Sequence, residues 1–271
     1  MATPQLPDGD VGALLRDWRL RRRHSQLSLA LDAGVSARHL SFVETGRARP
    51  SRDMVLRLAE RLEVPLRERN VLLVAAGFAP VFSERRLDDP ALAPARAAVE
   101  LVLKGHEPYP ALAIDRHWTL IAANAAIAPL LTGVDPSLLE PPVNVLRLSL
   151  HPDGLAPRIV NLAEWRSHLL GRLRHEIELT ADPVLLDLLN DLRALPGPRD
   201  HPASRLDFGG VVVPMRFASP AGTLSLFSTT TVFGTPVDVT LAELAIEAFY
   251  PADEDTAETL RRIMAASPSP A

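Results

Sequence analysis

Two short helical patterns joined across Gly34 restrict the fold more than any other stretch. Residues 25–33, "SQLSLALDA", place Leu27, Ala30 and Leu31 on one face, with Ser25 positioned to cap the first turn. Residues 36–45, "SARHLSFVET", begin at a second capping serine and bring Leu40 and Val43 together. Val35, just before that cap, can meet Leu40 as a hydrophobic staple. Gly34 tolerates positive φ, so the chain can turn sharply between the two patterns. Two helices crossed this way form a helix-turn-helix. The second then carries an outward face of Ala37, Arg38, Ser41, Phe42 and Thr45, free to enter a DNA major groove.

The flanking sequence completes a small helical domain. Val11, Leu14, Leu15 and Trp18 recur at helical spacing before the pair. A fourth helix opens after Pro50-Ser51, and a fifth closes the module at Gly77. Residues 1–80 hold 13 Arg and no Lys against 9 acids, a balance of +4, whereas the rest of the chain stands at −8. A basic piece joined to an acidic one suits a nucleic-acid module attached to something else. Arg38 can reach O6 and N7 of guanine, and Phe42, a bare ring on a polar face, can touch the thymine methyl. Otherwise Phe42 packs against the second domain or a dimer mate. Arg47 and Arg49, beyond Gly46, suit phosphates.

The stretch "SQLSLALDAGVSARHLSFVETGRARPSRDMVLRLAERLEV" resembles the lambda-repressor-like, Xre-type DNA-binding domains of bacterial regulators. The resemblance implies that Gln26 grips a phosphate and buttresses the third helix, and that Arg19 pairs with Glu44. It places base reading on Ala37, Arg38 and Phe42, with His39 close to backbone or bases; Ser36 and Ser41 complete the DNA-facing set. Ala37 departs from the family, where a longer polar side chain is common, so one direct base contact is missing.

Residues 81–94 read as a linker, and 95–271 as a second, α+β domain. Apolar runs at 111–115 and 118–122 suggest a hairpin. Helical patterns follow at 123–131, 144–150, 157–179 and 182–195. Residues 211–217 and 223–234 are rich in β-branched and aromatic residues and read as strands; 239–249 and 256–266 return to helix, before a frayed tail. No repeat, phosphate-binding glycine loop or Gly-x-Ser-x-Gly elbow is present, and cysteine is absent. Glu164, His168, His175 and Glu178 read as a solvated helix face rather than a zinc site, and His151 in "HPDG" as a turn; a hydrolase using His151 is the enzyme alternative. No apolar run could span a bilayer and no secretory signal opens the chain, which predicts a cytoplasmic protein without membrane contact.

"DRHWTLIAANAAIAPLL" resembles the start of PAS sensor domains, and 95–251 closely resembles the MmyB-like family of bacterial transcription regulators. That implies a PAS-like sheet wrapped by helices around an apolar cavity holding a fatty-acid-like ligand, with no other cofactor. An acyl pocket needs apolar walls and one cation for the carboxylate. Arg147, near Asn144, and Arg216 are the candidates for that cation; each could equally be a surface or structural arginine. Trp118, Trp165, Phe227 and Phe233 either build the core or touch ligand. The sequence therefore predicts a ligand-controlled regulator of double-stranded DNA, acting as a homodimer. The alternative is an antitoxin-like protein whose second domain binds a partner protein.

Overall fold

The computed structural model describes residues 10–198, 213–233 and 238–266. They form two compact units. Residues 10–85 with 238–242 make the first, and the remaining described residues the second.

In the first unit, five helices follow one another: α1 (Val11–Arg21), α2 (Gln26–Asp32), α3 (Ala37–Glu44), α4 (Arg52–Arg61) and α5 (Leu66–Ala75). Serine caps define three of the starts. Ser25, Ser36 and Ser51 accept backbone N–H groups of Ser28, His39 and Met54 at 3.0, 3.1 and 3.3 Å. Gly34 takes φ +64° in the turn between α2 and α3. Leu15, Leu29, Leu40, Leu58 and Leu73 are fully buried in the shared core. A segment from far along the chain completes this unit. Val239, wholly buried, starts a single helical turn that packs on α5, and its N–H bonds the Ser83 carbonyl at 2.8 Å. Asp238 beside it, also buried, takes Arg85 at 3.0 Å.

The second unit is built on one antiparallel sheet. Its strands are β1 (Ala111–Ile114), β2 (Leu120–Ala123), β3 (Met215–Ser219), β4 (Gly222–Val232) and β5 (Ala245–Pro251), in the order β2-β1-β5-β4-β3, a PAS-like arrangement. One sheet face presents Leu112, Ile114, Leu226 and Phe249 toward the helices α7 (Val145–Leu150), α8 (Leu162–Thr180) and α9 (Pro183–Ala194). The opposite face, with Ala111, Ala113 and Ile246, packs on Val99 and Leu103 of α6 (Ala93–Gly105). A last helix, α10 (Glu254–Ala266), lies against β4 and β5.

Three sequence expectations need correction. Residues 239–249 are not one helix: a short turn ends at Ala242, and 245–251 become β5, bonded on both sides, to β1 and β4. The segment expected to be a linker enters α6 by Ala93, a helix the sequence reading left out. The pattern at 123–131 holds a single 3-10 turn, Ala128–Leu131, rather than an α-helix. Residues 211–212 and 234 and the expected tail lie outside the described residues.

Candidate functional site

Two sites emerge, one in each unit. In the first, α3 is held by an ion pair at its base. Arg19 of α1 donates from Nε and Nη2 to the two Glu44 oxygens at 2.6 and 2.9 Å, and Gln26 of α2 donates to Glu44 Oε2 at 2.8 Å. Burial alone would raise the Glu44 pKa. Hydrogen bonds from Arg19 and Gln26, with the charges of Arg19 and Arg16, outweigh it and hold the carboxyl below its usual range. Three helices are thus tied by one carboxylate.

The outward side of α3 carries Arg38 and His39, exposed, with Ser41 and Phe42 half-exposed. Ala37 is half-buried against the domain core, and the Ser36 hydroxyl is used by its cap. Phe42 is not bare. The Arg38 guanidinium, one turn earlier on the helix, lies 5.4 Å from its ring centroid, so cation and ring form one surface feature. Arg47 and Arg49 are exposed beyond Gly46.

In the second unit a cavity of about 260 Å³ lies between the inner sheet face and the helices. Each water-sized group occupies roughly 30 Å³, so it has room for about nine. Its walls are overwhelmingly apolar, with Leu112, Leu130, Leu146, Leu169 and Phe249 among them. Trp118 and Trp165 also line it. Each indole N–H is satisfied within the protein, by Glu176 Oε2 at 2.7 Å and Ser149 Oγ at 3.0 Å respectively, so both rings are fixed wall elements.

The other expected ligand residues lie elsewhere. Asn144 caps α7, accepting the Arg147 N–H at 3.0 Å and donating to the His117 carbonyl at 2.8 Å. Arg147 is exposed on α7 and pairs with Asp191 of α9. Arg216 is exposed on β3. Phe227 points to the outer sheet face and stacks on Tyr250 at 5.5 Å, and Phe233 packs with the cluster on that same face. His151 accepts the Asp153 N–H at 3.1 Å in a turn, and His168 stacks on Trp165 at 5.4 Å.

The arginine that does line the cavity is Arg172 of α8, which the sequence reading passed over. It reaches the buried Glu247 of β5 through Nη1 at 3.1 Å and Nη2 at 2.8 Å, and Thr230 of β4 at 2.9 Å. Trp118 lies under the guanidinium, 4.7 Å from ring centroid to carbon. The sequence did hold one signal, a lone acid set between Ile246 and Ala248 in an otherwise apolar run.

Residues 95–263 match the family model of the MmyB-like transcription regulator ligand binding domain. The chain belongs to the MmyB-like transcription regulators. In this MmyB-like regulator, residues 15–69 match a helix-turn-helix family model, which covers α1 from Leu15 on, all of α2 to α4 and the start of α5. Together the two matches make it a DNA-binding transcription regulator with a ligand-binding domain. No curated protein matches the chain. Among solved structures, the clp gene regulator ClgR from Corynebacterium glutamicum is 24% identical over 36% of this regulator and 92% of that chain, with a TM-score of 0.22. An RNA-binding light-oxygen-voltage receptor is 12% identical over 94% of this regulator and 64% of that chain, with a TM-score of 0.25. No described helix of the MmyB-like regulator is long and apolar enough to cross a membrane.

Proposed function

We propose that this regulator binds a specific operator as a homodimer, and that a small apolar ligand, fatty-acid-like in its hydrocarbon body, controls that binding. The observation carrying the ligand half is the almost wholly apolar cavity of the second unit. Side chains that pack to fill a core leave little space of this size. For the DNA half, Arg38, Ser41 and Phe42 face the major groove, with Ala37 and His39 beside them, while Gln26, Arg47 and Arg49 take phosphates. Control follows from linkage. A ligand that prefers one of two arrangements shifts their populations by its difference in affinity and by no more.

The test is to denature the purified full-length protein, identify the small molecules released by mass spectrometry, and measure operator affinity with and without them. An acyl or similarly apolar compound that changes affinity severalfold supports the proposal. Protein that releases nothing, and whose DNA affinity is indifferent to added acyl compounds, favours a second domain that grips a partner protein instead.

A further inference from the structure

The outward side of α6 is not the polar face a surface helix normally turns to water. Val99 and Leu103 point inward and pack with the sheet. Leu101 stands about half a turn round the helix from both. It is 73% exposed, with Val102 beside it 46% exposed. Ala97 and Ala98, one turn earlier, are exposed as well. Four apolar side chains therefore form an outward strip on a helix whose inner side is already buried.

The charges along this strip specify what fits it. Glu100 and Lys104 lie on one edge of it, about 40° apart around the helix. They are four residues apart in the order that favours an intrahelical pair. Yet both are exposed, and among the described residues neither side chain makes an ion pair or a hydrogen bond. Two copies of α6 placed face to face and antiparallel, about a twofold axis level with Val102, keep that edge on the same side of both. Glu100 of each copy then stands opposite Lys104 of the other, two residues either side of the axis. Leu101 and Val102 meet their own counterparts at the centre, and the small Ala97 and Ala98 let the backbones approach. A parallel pair would instead set Glu100 against Glu100 and Lys104 against Lys104. The strip is complementary to itself in one orientation, as a twofold interface requires.

We propose that two copies of this chain associate through the outward face of α6, antiparallel, with two Glu100–Lys104 pairs along one edge. This rests on the homodimer reading above and names its surface. One helix face buries less than the roughly 800 Å² per partner of a standard interface, so the association is reversible.

The experiment is sedimentation equilibrium of the full-length protein, up to its highest soluble concentration. Leu101→Asp should weaken dimerisation about a hundredfold, because each dimer loses two buried leucines. Its circular dichroism should not change, since Leu101 lies outside the core. Glu100→Lys and Lys104→Glu should each weaken dimerisation about tenfold by setting like charges together. An equimolar mixture of those two variants should regain it as a heterodimer, which no effect confined to one helix can produce. Lys104 is also the chain's one lysine, so zero-length carbodiimide coupling reads the contact directly. In a mixture of isotopically heavy and light protein, a heavy–light link between Lys104 and Glu100 is expected. Dimers that persist in Leu101→Asp, or that yield no heavy–light link at Lys104, would put the interface elsewhere and leave the homodimer reading standing. A variant mixture no stronger than its components would overturn the antiparallel pairing. Protein that stays monomeric at every concentration would overturn both the surface and the homodimer.

Discussion

Gly12 occupies a position in α1 that any residue could fill if the helix stood alone. In the folded unit a Cβ there would lie 2.2 Å from the carbonyl oxygen of Val43, on the backbone of α3. Backbone cannot swing aside as a flexible side chain does. Gly12→Ala should therefore cost roughly 1–3 kcal/mol or more despite its better helix propensity, as overpacking generally does; chemical denaturation would show it, and an unchanged midpoint would contradict the close approach. Glu44 is the second decisive residue. Removing it leaves Arg19 buried without a partner, so Glu44→Ala should destabilise by about 3–5 kcal/mol. The pH dependence has a definite sign. Because folding lowers the Glu44 pKa, its contribution is present above the usual carboxylate range and is lost as pH falls through the depressed folded value. The acid limb of a stability–pH curve should thus flatten in Glu44→Gln. Neither role was equally legible in sequence. The Arg19–Glu44 pairing follows from the resemblance to Xre-type domains, whereas nothing local distinguishes Gly12 from any glycine near a helix start.

Elements differ in how much of their structure is local. The helices of the first unit were legible because their caps and apolar residues lie within the segments themselves, and α3 came with its outward face already defined. The face expected of α2 was wrong, since Leu29 and Ala30 are buried while Leu27 and Leu31 are exposed. At this scale Arg38→Ala should relax preference at one base pair by about 1–3 kcal/mol, whereas Arg47→Ala should weaken all sequences alike and lower the salt slope by about one. Selected-site profiles of the two variants would separate those roles; superimposable profiles would refute them. The second unit was harder. In "VTLAELAIEAF" alanine, leucine and glutamate favour helix, yet 245–251 become the central strand because β1 and β4 offer hydrogen bonds on both sides. The α6 segment hid for another reason. Val99 and Leu103 are buried, but Leu101 and Val102 are exposed, so its apolar residues run well beyond the face that packs on the sheet. Arg147 and Arg172 present the same difficulty. Both lie on helices among leucines, and only packing decides that Arg147 meets Asp191 at the surface while Arg172 turns into the cavity.

For the whole molecule, the uneven charge has a measurable consequence. The first 80 residues are net positive within a chain of net charge −4, so attraction to DNA depends on local cations and not on overall charge. Operator affinity should fall steeply between low and physiological salt, and a flat response would remove the phosphate-binding role of Arg47 and Arg49. If two copies bind together, footprints should show half-sites about 34 Å apart on a pseudo-palindrome, whereas a single short protected site would point to a monomer. The return of residues 238–242 to the first unit adds a consequence in time. A ribosome emits the five helices early, but Asp238 and Val239 follow only after most of the second unit's chain, on the order of ten seconds later at typical elongation rates. Until then α5 lacks the turn that packs on it, and Arg85 lacks its carboxylate partner. No nascent chain stalled before residue 238 holds the DNA-reading unit whole.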